Sequence, residues 1–268
     1  MARTGPKKKW GQNFLSDPNI ARKIVAAAGE FSGPVFEIGP GKGALTALLL
    51  ASGRPYVGIE IDPALAAQLR ERYGHLSHFR LLEADFLDLD LTALAGEYPG
   101  PATVVGNIPY NITSPILFRL FDHADLLDQA VLMMQKEVAE RLRAPVGTKA
   151  YGLLAINSQL FAEVEYRFTV PPHLFFPAPK VSSAVLRLRF RKGVPEQFSD
   201  FALFRKILRH CFQHRRKMLR KSLSMLFSAT LLSTLSADLT RRPEQLTIPE
   251  WQQLSESIHR QLAKEAAQ

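Results

Sequence analysis

The sequence predicts an α/β chain: a mostly parallel sheet covered by helices on both faces, followed by a small all-α C-terminal domain. Three observations predict it. Short apolar runs alternate with helical segments from residue 35 to about 133, a pattern that requires right-handed crossovers between parallel strands. A glycine cluster, Gly39-Pro40-Gly41-Lys42-Gly43, stands between the first of these runs and the helix after it. Beyond Gly193-Val194-Pro195 the period becomes helical throughout: Phe201, Phe204, Leu208, Cys211 and Phe212 make one apolar stripe, and Arg205, Lys206 and Arg209 fall off it. The change of period places the domains at 1–192 and 193–268.

In order along the chain, Phe14-Leu15 precede Ser16-Asp17-Pro18, a helix-start signal, and Ile20, Ile24 and Val25 recur at helical spacing after it. Val35 to Ile38 is a first strand, with an apolar helix from Ala44. Tyr56 to Ile59 is a second strand that ends at Glu60. Pro63 opens a helix through about Tyr73, proline being suited to a first helical turn. Phe79 to Leu82 is a third strand, ending near Asp85-Phe86. Thr103 to Val105 is a fourth, Ser114 to Phe121 a helix, and Ala130 to Met133 a fifth strand. Phe161 to Phe168 and Val181 to Phe190 alternate in period two and read as late, partly antiparallel strands around a proline-rich loop, Phe175 to Lys180.

The chain has 268 residues, 46% of them hydrophobic and 22% charged, enough for one large domain with a real core and a smaller one. A single cysteine, Cys211, excludes an intramolecular disulfide and any multi-cysteine metal cluster; it reads as a small apolar core residue. No metal is expected. No stretch is long and apolar enough to span a bilayer, so the chain reads as soluble and cytoplasmic, without a membrane partner. Its net charge of +9 is uneven: Arg187 to Lys221 hold twelve Lys/Arg against Glu196 and Asp200. That segment, with Lys7, Lys8 and Lys9, points to a local polyanion footprint rather than a merely solvated helix face.

Candidate site residues gather at strand ends. Glycines at Gly39, Gly41 and Gly43 permit a tight turn and close backbone approach to a ligand. Glu60, followed by Ile61, ends the next strand, where an acid can hold ribose hydroxyls. Asp85, followed by Phe86, ends the third and can accept from an adenine amino group. Asn107-Ile108-Pro109-Tyr110 ends the fourth. The residue before proline is pushed to extended geometry, which restricts where the Ile108 carbonyl points. Asn107 Oδ1, the Ile108 carbonyl and the Tyr110 ring together offer two acceptors and a stacking face, which is what a base with an exocyclic NH2 needs. The glycine spacing, Gly-x-Gly-x-Gly, differs from the usual dinucleotide pattern, and the series of strand-end groups suits a nucleoside without phosphates, such as S-adenosylmethionine. A nicotinamide dehydrogenase and a non-catalytic RNA-binding module are the other readings these residues leave open.

With these motifs in order, the chain resembles Rossmann-like class I methyltransferases, and the Asn-Ile-Pro-Tyr form resembles those that methylate exocyclic amines of bases. Gly11 to Leu15, Gln135 to Leu142, Phe175-x-Pro177-x-Pro179-Lys180-Val181 and Arg215-Arg216-Lys217-Met218-Leu219 resemble the small-subunit rRNA adenine dimethyltransferases over nearly the whole chain. The large-subunit rRNA adenine methylases are the nearest sister group. Ser182 and Met218 depart from the pattern, where an acid and a threonine are expected. The resemblance implies a seven-stranded sheet and the cofactor S-adenosyl-L-methionine, bound at Asn13, Leu15, Gly39, Gly41, Glu60, Ile61, Asp85, Phe86 and Asn107. It implies catalysis at Asn107, Ile108, Pro109 and Tyr110, with Phe175 covering the second face of the base. The uneven charge places the RNA contacts at Lys7, Lys8, Lys9, Arg215, Arg216, Lys217, Arg220 and Lys221. The substrate implied is small-subunit rRNA in immature small ribosomal subunits, methylated twice at N6 of each of two adjacent adenosines near the 3′ end.

Overall fold

The computed structural model describes Lys7 and residues 10–266, so Lys8 and Lys9 of the expected basic arm lie outside the described residues. The chain forms two compact units. One runs to Glu140 and resumes over Phe161–Lys192; the other comprises Arg141–Leu160 and everything from Gly193 on. The break at 192/193 falls where the helical period begins. The excursion 141–160, which the sequence reading kept with the first domain, groups with the second unit, because its partners come from later in the chain.

In the first unit β1 (Phe14–Leu15) leads into α1 (Pro18–Ala28), then β2 (Val35–Ile38), α2 (Thr46–Leu50), β3 (Tyr56–Glu60), α3 (Pro63–Tyr73), β4 (Phe79–Glu83), α4 (Leu91–Gly96), β5 (Ala102–Asn107), α5 (Thr113–Asp122) and β6 (Leu127–Gln135). α6 (Lys136–Leu142) leads into the excursion, α7 (Leu153–Phe161) lies within it up to its last residue, and β7 (Ala162–Val170), β8 (Phe175–Phe176) and β9 (Ser183–Phe190) follow in the first unit. The helix starts are locally encoded. Asp17 caps α1 by accepting from Asn19 N and Ile20 N, and Asp62 caps α3 by accepting from Ala64 N, each with proline next.

The main sheet has strand order β4-β3-β2-β5-β6-β9-β7. The first five pair in parallel, and β9 pairs antiparallel with both β6 and β7. The seven strands match the expected sheet. β2 is buried at every position and β5 at all but its last, which is why both read as unbroken apolar runs rather than alternating ones. On one face Ile24, Ala27 and Ala28 of α1 and Leu49 of α2 pack with Val35, Val105, Val131 and Met133 of the sheet.

Two local features differ from the sequence reading. α2 starts at Thr46 rather than Ala44, because turns after Gly41 run through Leu45. Phe14-Leu15 form a short strand paired antiparallel with β8, Phe14 opposite Phe176 and Leu15 opposite Phe175; a two-residue strand carries no readable period.

The second unit holds α8 (Phe201–Gln213), α9 (Leu219–Leu223), α10 (Ala229–Ser233) and α11 (Ile248–Ala266). Leu203, Phe204, Ile207, Leu208 and Cys211 form the buried face of α8. The excursion joins this unit through Gly147 N, which donates to Glu244 O at 2.8 Å, and Arg215, which donates to Thr148 O at 3.1 Å. Among the described residues no helix is long and apolar enough to cross a membrane.

Candidate active site

Strand order reverses between β2 and β5. Successive strands run outward from β2 through β3 to β4 on one side, and from β5 to β6 on the other. Ligands of open parallel sheets sit at such a point, beyond the carboxyl ends of the strands. A cleft lies there with about 790 Å³ of empty space, open mouth included. Its walls come from Trp10–Leu15, the loop after β2, Glu60-Ile61 at the end of β3, and Asn107–Tyr110 at the end of β5, with the buried Glu37 at its inner wall.

The loop after β2 carries Gly39 and Gly41 at φ of 61° and 59°, a region costly for residues with a Cβ. A Cβ on Gly39 would meet nothing, whereas one on Gly41 would lie 3.2 Å from the Phe14 ring. The loop is thus open to a ligand at Gly39 and covered by Phe14 at Gly41. Glu60 holds the loop in place: Oε2 accepts from Gly41 N at 2.8 Å and Oε1 from Asp62 N at 2.9 Å. Each carboxylate oxygen can accept a second bond. Burial raises the Glu60 pKa, and the backbone bonds from Asp62 and Gly41 act in the opposite direction.

The segment Trp10–Leu15 is tied down at both ends. Lys7 Nζ donates to Asp62 Oδ1 at 2.9 Å and stands over the Trp10 ring, while Gln12 Nε2 donates to Asp62 Oδ2 at 3.2 Å. Asn107 Nδ2 donates to the Asn13 carbonyl at 2.8 Å. A carbonyl acceptor requires the NH2 side of the amide there, so Oδ1 is the atom left for the cleft. Ile108 N donates to Met133 O at 2.9 Å, which fixes the turn against β6. Among the described residues no donor reaches Asn107 Oδ1 or the Ile108 carbonyl. The Tyr110 hydroxyl is 2.7 Å from the Ser183 hydroxyl, which is fully buried at the start of β9. Burial raises the Tyr110 pKa, with the Ser183 bond acting the other way, so the ring remains a neutral stacking face.

Glu37 is the acid that the sequence reading passed over. It is buried in the middle of β2, and Oε2 accepts from Tyr56 Oη at 2.6 Å and Thr46 Oγ1 at 2.8 Å. Burial pushes its pKa from 4.5 to about 7, against the pull of those two bonds, and the neighbouring Glu60 charge adds to the rise. An acid inside the run Val35-Phe36-Glu37-Ile38 was the available signal. Ser183, Gln12 and Asp62 were also missed. Their roles at the site run through partners far away in sequence: Ser183 to Tyr110, and Gln12 to Asp62.

Asn13, Leu15, Gly39, Gly41, Glu60, Ile61, Asn107, Ile108, Pro109 and Tyr110 therefore meet in one cleft. Asp85 and Phe86 do not line it. Asp85 Oδ1 accepts from Leu87 N at 2.9 Å in the turn after β4, and Phe86 is buried. Phe175, expected over the base, turns its ring into the core with Leu15. Alternation along β8 sends Phe176 the other way, to 62% exposure. Arg215-Arg216-Lys217 form the turn between α8 and α9 rather than a helix. Within that turn Arg215 is engaged by Thr148 O and lies 3.5 Å from Glu244 Oε2, so it is a structural anchor. Arg216, Lys217, Arg220 and Lys221 are exposed. Among the described residues no group of three His, Cys, Asp or Glu is placed to hold a metal ion.

The donor set fits S-adenosyl-L-methionine. Gly39 leaves space at the loop, Glu60 offers carboxylate oxygens, and among the described residues the cleft is lined by two acids, Glu37 and Glu60, against one cation, Lys42. Comparison with known proteins agrees with that fit. The chain is 45% identical over 243 residues to a ribosomal RNA small subunit methyltransferase A of Chlorobaculum parvum, covering 90% of this chain and 85% of the relative. Among solved structures, a dimethyladenosine transferase from Plasmodium falciparum superposes with a TM-score of 0.76 at 27% identity, covering 94% of this chain and 98% of the other. The 23S rRNA methyltransferase ErmE superposes with a TM-score of 0.63 at 28% identity, covering 92% and 100%. The profile of the ribosomal RNA adenine dimethylase family matches residues 4–259, a span that takes in the cleft and most of both compact units, and the chain belongs to that family.

Proposed function

We propose that this chain is an rRNA (adenine-N6,N6-)-dimethyltransferase of the small ribosomal subunit. It acts in the cytoplasm on immature subunits and methylates two adjacent adenosines near the 3′ end of their rRNA. The observation that carries the reading is the pair of acceptors, Asn107 Oδ1 and the Ile108 carbonyl, left without donors among the described residues on a turn that lines the cleft together with Tyr110.

An adenine amino nitrogen is a poor nucleophile because its lone pair is delocalised into the ring. The two acceptors hold the N–H bonds out of the ring plane. They thereby favour a pyramidal nitrogen and stabilise the positive charge that grows on it. Asn107 is neutral and does not act as a base; the proton leaves to water once the nitrogen has become acidic. Bound S-adenosyl-L-methionine supplies an electrophilic methyl group on a sulfonium. Gly39, Gly41, Glu60 and the segment Asn13–Leu15 would hold it. Tyr110, pinned by Ser183, stacks on the extruded base for about 1–3 kcal/mol, comparable to the few kcal/mol that extrusion requires. Arg216, Lys217, Arg220 and Lys221 are the proposed phosphate contacts.

Mass spectrometry of rRNA fragments tests the reading, after incubation of immature small subunits with isotope-labelled S-adenosyl-L-methionine. The expected result is four labelled methyl groups on one fragment near the 3′ end of small-subunit rRNA, two on each of two neighbouring adenosines. Label on large-subunit rRNA alone, or none on RNA, overturns it.

A further inference from the structure

Phe176 is the most exposed large apolar side chain of the catalytic unit, at 62%. It is not a loose surface residue. Its backbone is paired with Phe14 in the β1–β8 ladder, and directly opposed residues of an antiparallel pair project to the same face. Phe14 lines the cleft, under Lys42 Nζ at 4.6 Å from its ring. Phe176 therefore stands on the cleft side of the ladder, while Leu15 and Phe175 occupy the core side. It is absent from the cleft lining, so its ring meets what lies at the rim. Pro177 and Pro179 stiffen the loop that follows, and Lys180 in that loop is exposed. An open aromatic ring, with an exposed lysine over its ladder partner Phe14 and another exposed lysine four residues on, is the composition that binds single-stranded nucleic acid, with rings for bases and cations for backbone. The base inside the cleft already has Tyr110.

We propose that Phe176 is the stacking platform for the nucleobase next to the target adenosine, which it holds at the rim while the target is inside the cleft. This rests on the reading of the cleft as an RNA adenine site. A base pulled from its stack leaves a neighbour with one open π-face, and an exposed ring at the rim replaces the lost partner. Phe176 acts as a positioning residue: it touches the substrate strand but not the reacting nitrogen.

Because the ring is exposed, its removal leaves the fold intact, and melting temperature and S-adenosyl-L-methionine affinity serve as controls. The probe is an RNA hairpin whose loop carries the target adenosine beside 2-aminopurine. The full-length chain is expected to quench the 2-aminopurine on binding. Phe176→Ala is expected to abolish that quenching and weaken binding about 5- to 100-fold, and Phe176→Trp to restore both. Unchanged quenching and affinity in Phe176→Ala overturn the proposal. Quenching that depends on Phe176 only when 2-aminopurine replaces the target itself also overturns it, by placing the ring over the wrong base. A wild-type chain that methylates adenine normally alongside either result shows that the active-site reading stands and the platform alone has failed. A wild-type chain that quenches through Phe176 but transfers no methyl group shows the reverse.

Discussion

Asn107 donates from Nδ2 to the carbonyl of Asn13, 2.8 Å away and 94 positions earlier in the chain. The bond joins the amino-terminal segment to the end of β5 and decides which side of the amide faces the cleft. Asn107→Ala is expected to remove both that bond and the acceptor. Loss of one preorganised polar group at a reacting centre lowers turnover by about 100- to 1,000-fold. Single-turnover methyl transfer measures this, with S-adenosyl-L-methionine affinity changed much less. Near-normal turnover would remove Asn107 from the chemistry.

Glu60 holds the glycine loop through Gly41 N and is the acid proposed for ribose hydroxyls. Glu60→Ala removes a charged acceptor, a bond class worth about 1.5–3 kcal/mol, so S-adenosyl-L-methionine should bind at least tenfold more weakly by calorimetry. Wild-type affinity in that variant would assign Glu60 to loop architecture alone.

Arg216, Lys217, Arg220 and Lys221 are exposed cations on one short stretch of the second unit. Neutralising all four is expected to weaken rRNA binding and flatten the plot of log affinity against log salt by roughly 3, given about 0.7 per phosphate contact on single strands. Arg215→Gln should instead lower the melting temperature, since that side chain is engaged by Thr148 and Glu244. A salt slope that survives the fourfold change would return these residues to a solvated surface.

Glu37 makes stability depend on pH with a definite sign. Its folded pKa, about 7, lies above its ordinary 4.5. Between these values the folded chain holds a proton that the unfolded chain has released, so the favourable contribution is full below about pH 4.5 and is lost as pH rises through 7. Glu37→Gln keeps an acceptor for Tyr56 and Thr46 without the buried charge. It is expected to be near neutral at pH 5 and to stabilise by about 1–3 kcal/mol at pH 8–9, read from denaturant titrations at both pH values. Equal effects at the two pH values would show that Glu37 does not titrate in this range.

Much of this was legible in the sequence because it is local. The parallel strands announced themselves as short buried runs, and the helix starts as Ser16-Asp17-Pro18 and Pro63. The strand-end groups Gly39, Glu60 and Asn107 fell into one cleft because strand order reverses between β2 and β5. What stayed hidden depends on pairings between distant residues. The sense of Phe175 and Phe176 was set by a two-residue ladder with β1, too short to show a period. Ser183 became the anchor of Tyr110 through a contact 73 positions away. The 141–160 excursion has its partners at Arg215 and Glu244, so nothing within it reveals where it belongs.

That excursion bears on how such proteins can be cut and recombined. Because Arg141–Leu160 and the stretch from Gly193 onward build one body, a chain ended at Lys192 would not be a minimal catalytic fragment. It would carry twenty residues whose apolar side chains, Tyr151 and Ile156 among them, had been deprived of their cover, and it should aggregate. Swapping the carboxyl-terminal body between relatives therefore takes two crossovers rather than one, and chimaeras joined at a single seam near residue 192 will inherit mismatched halves.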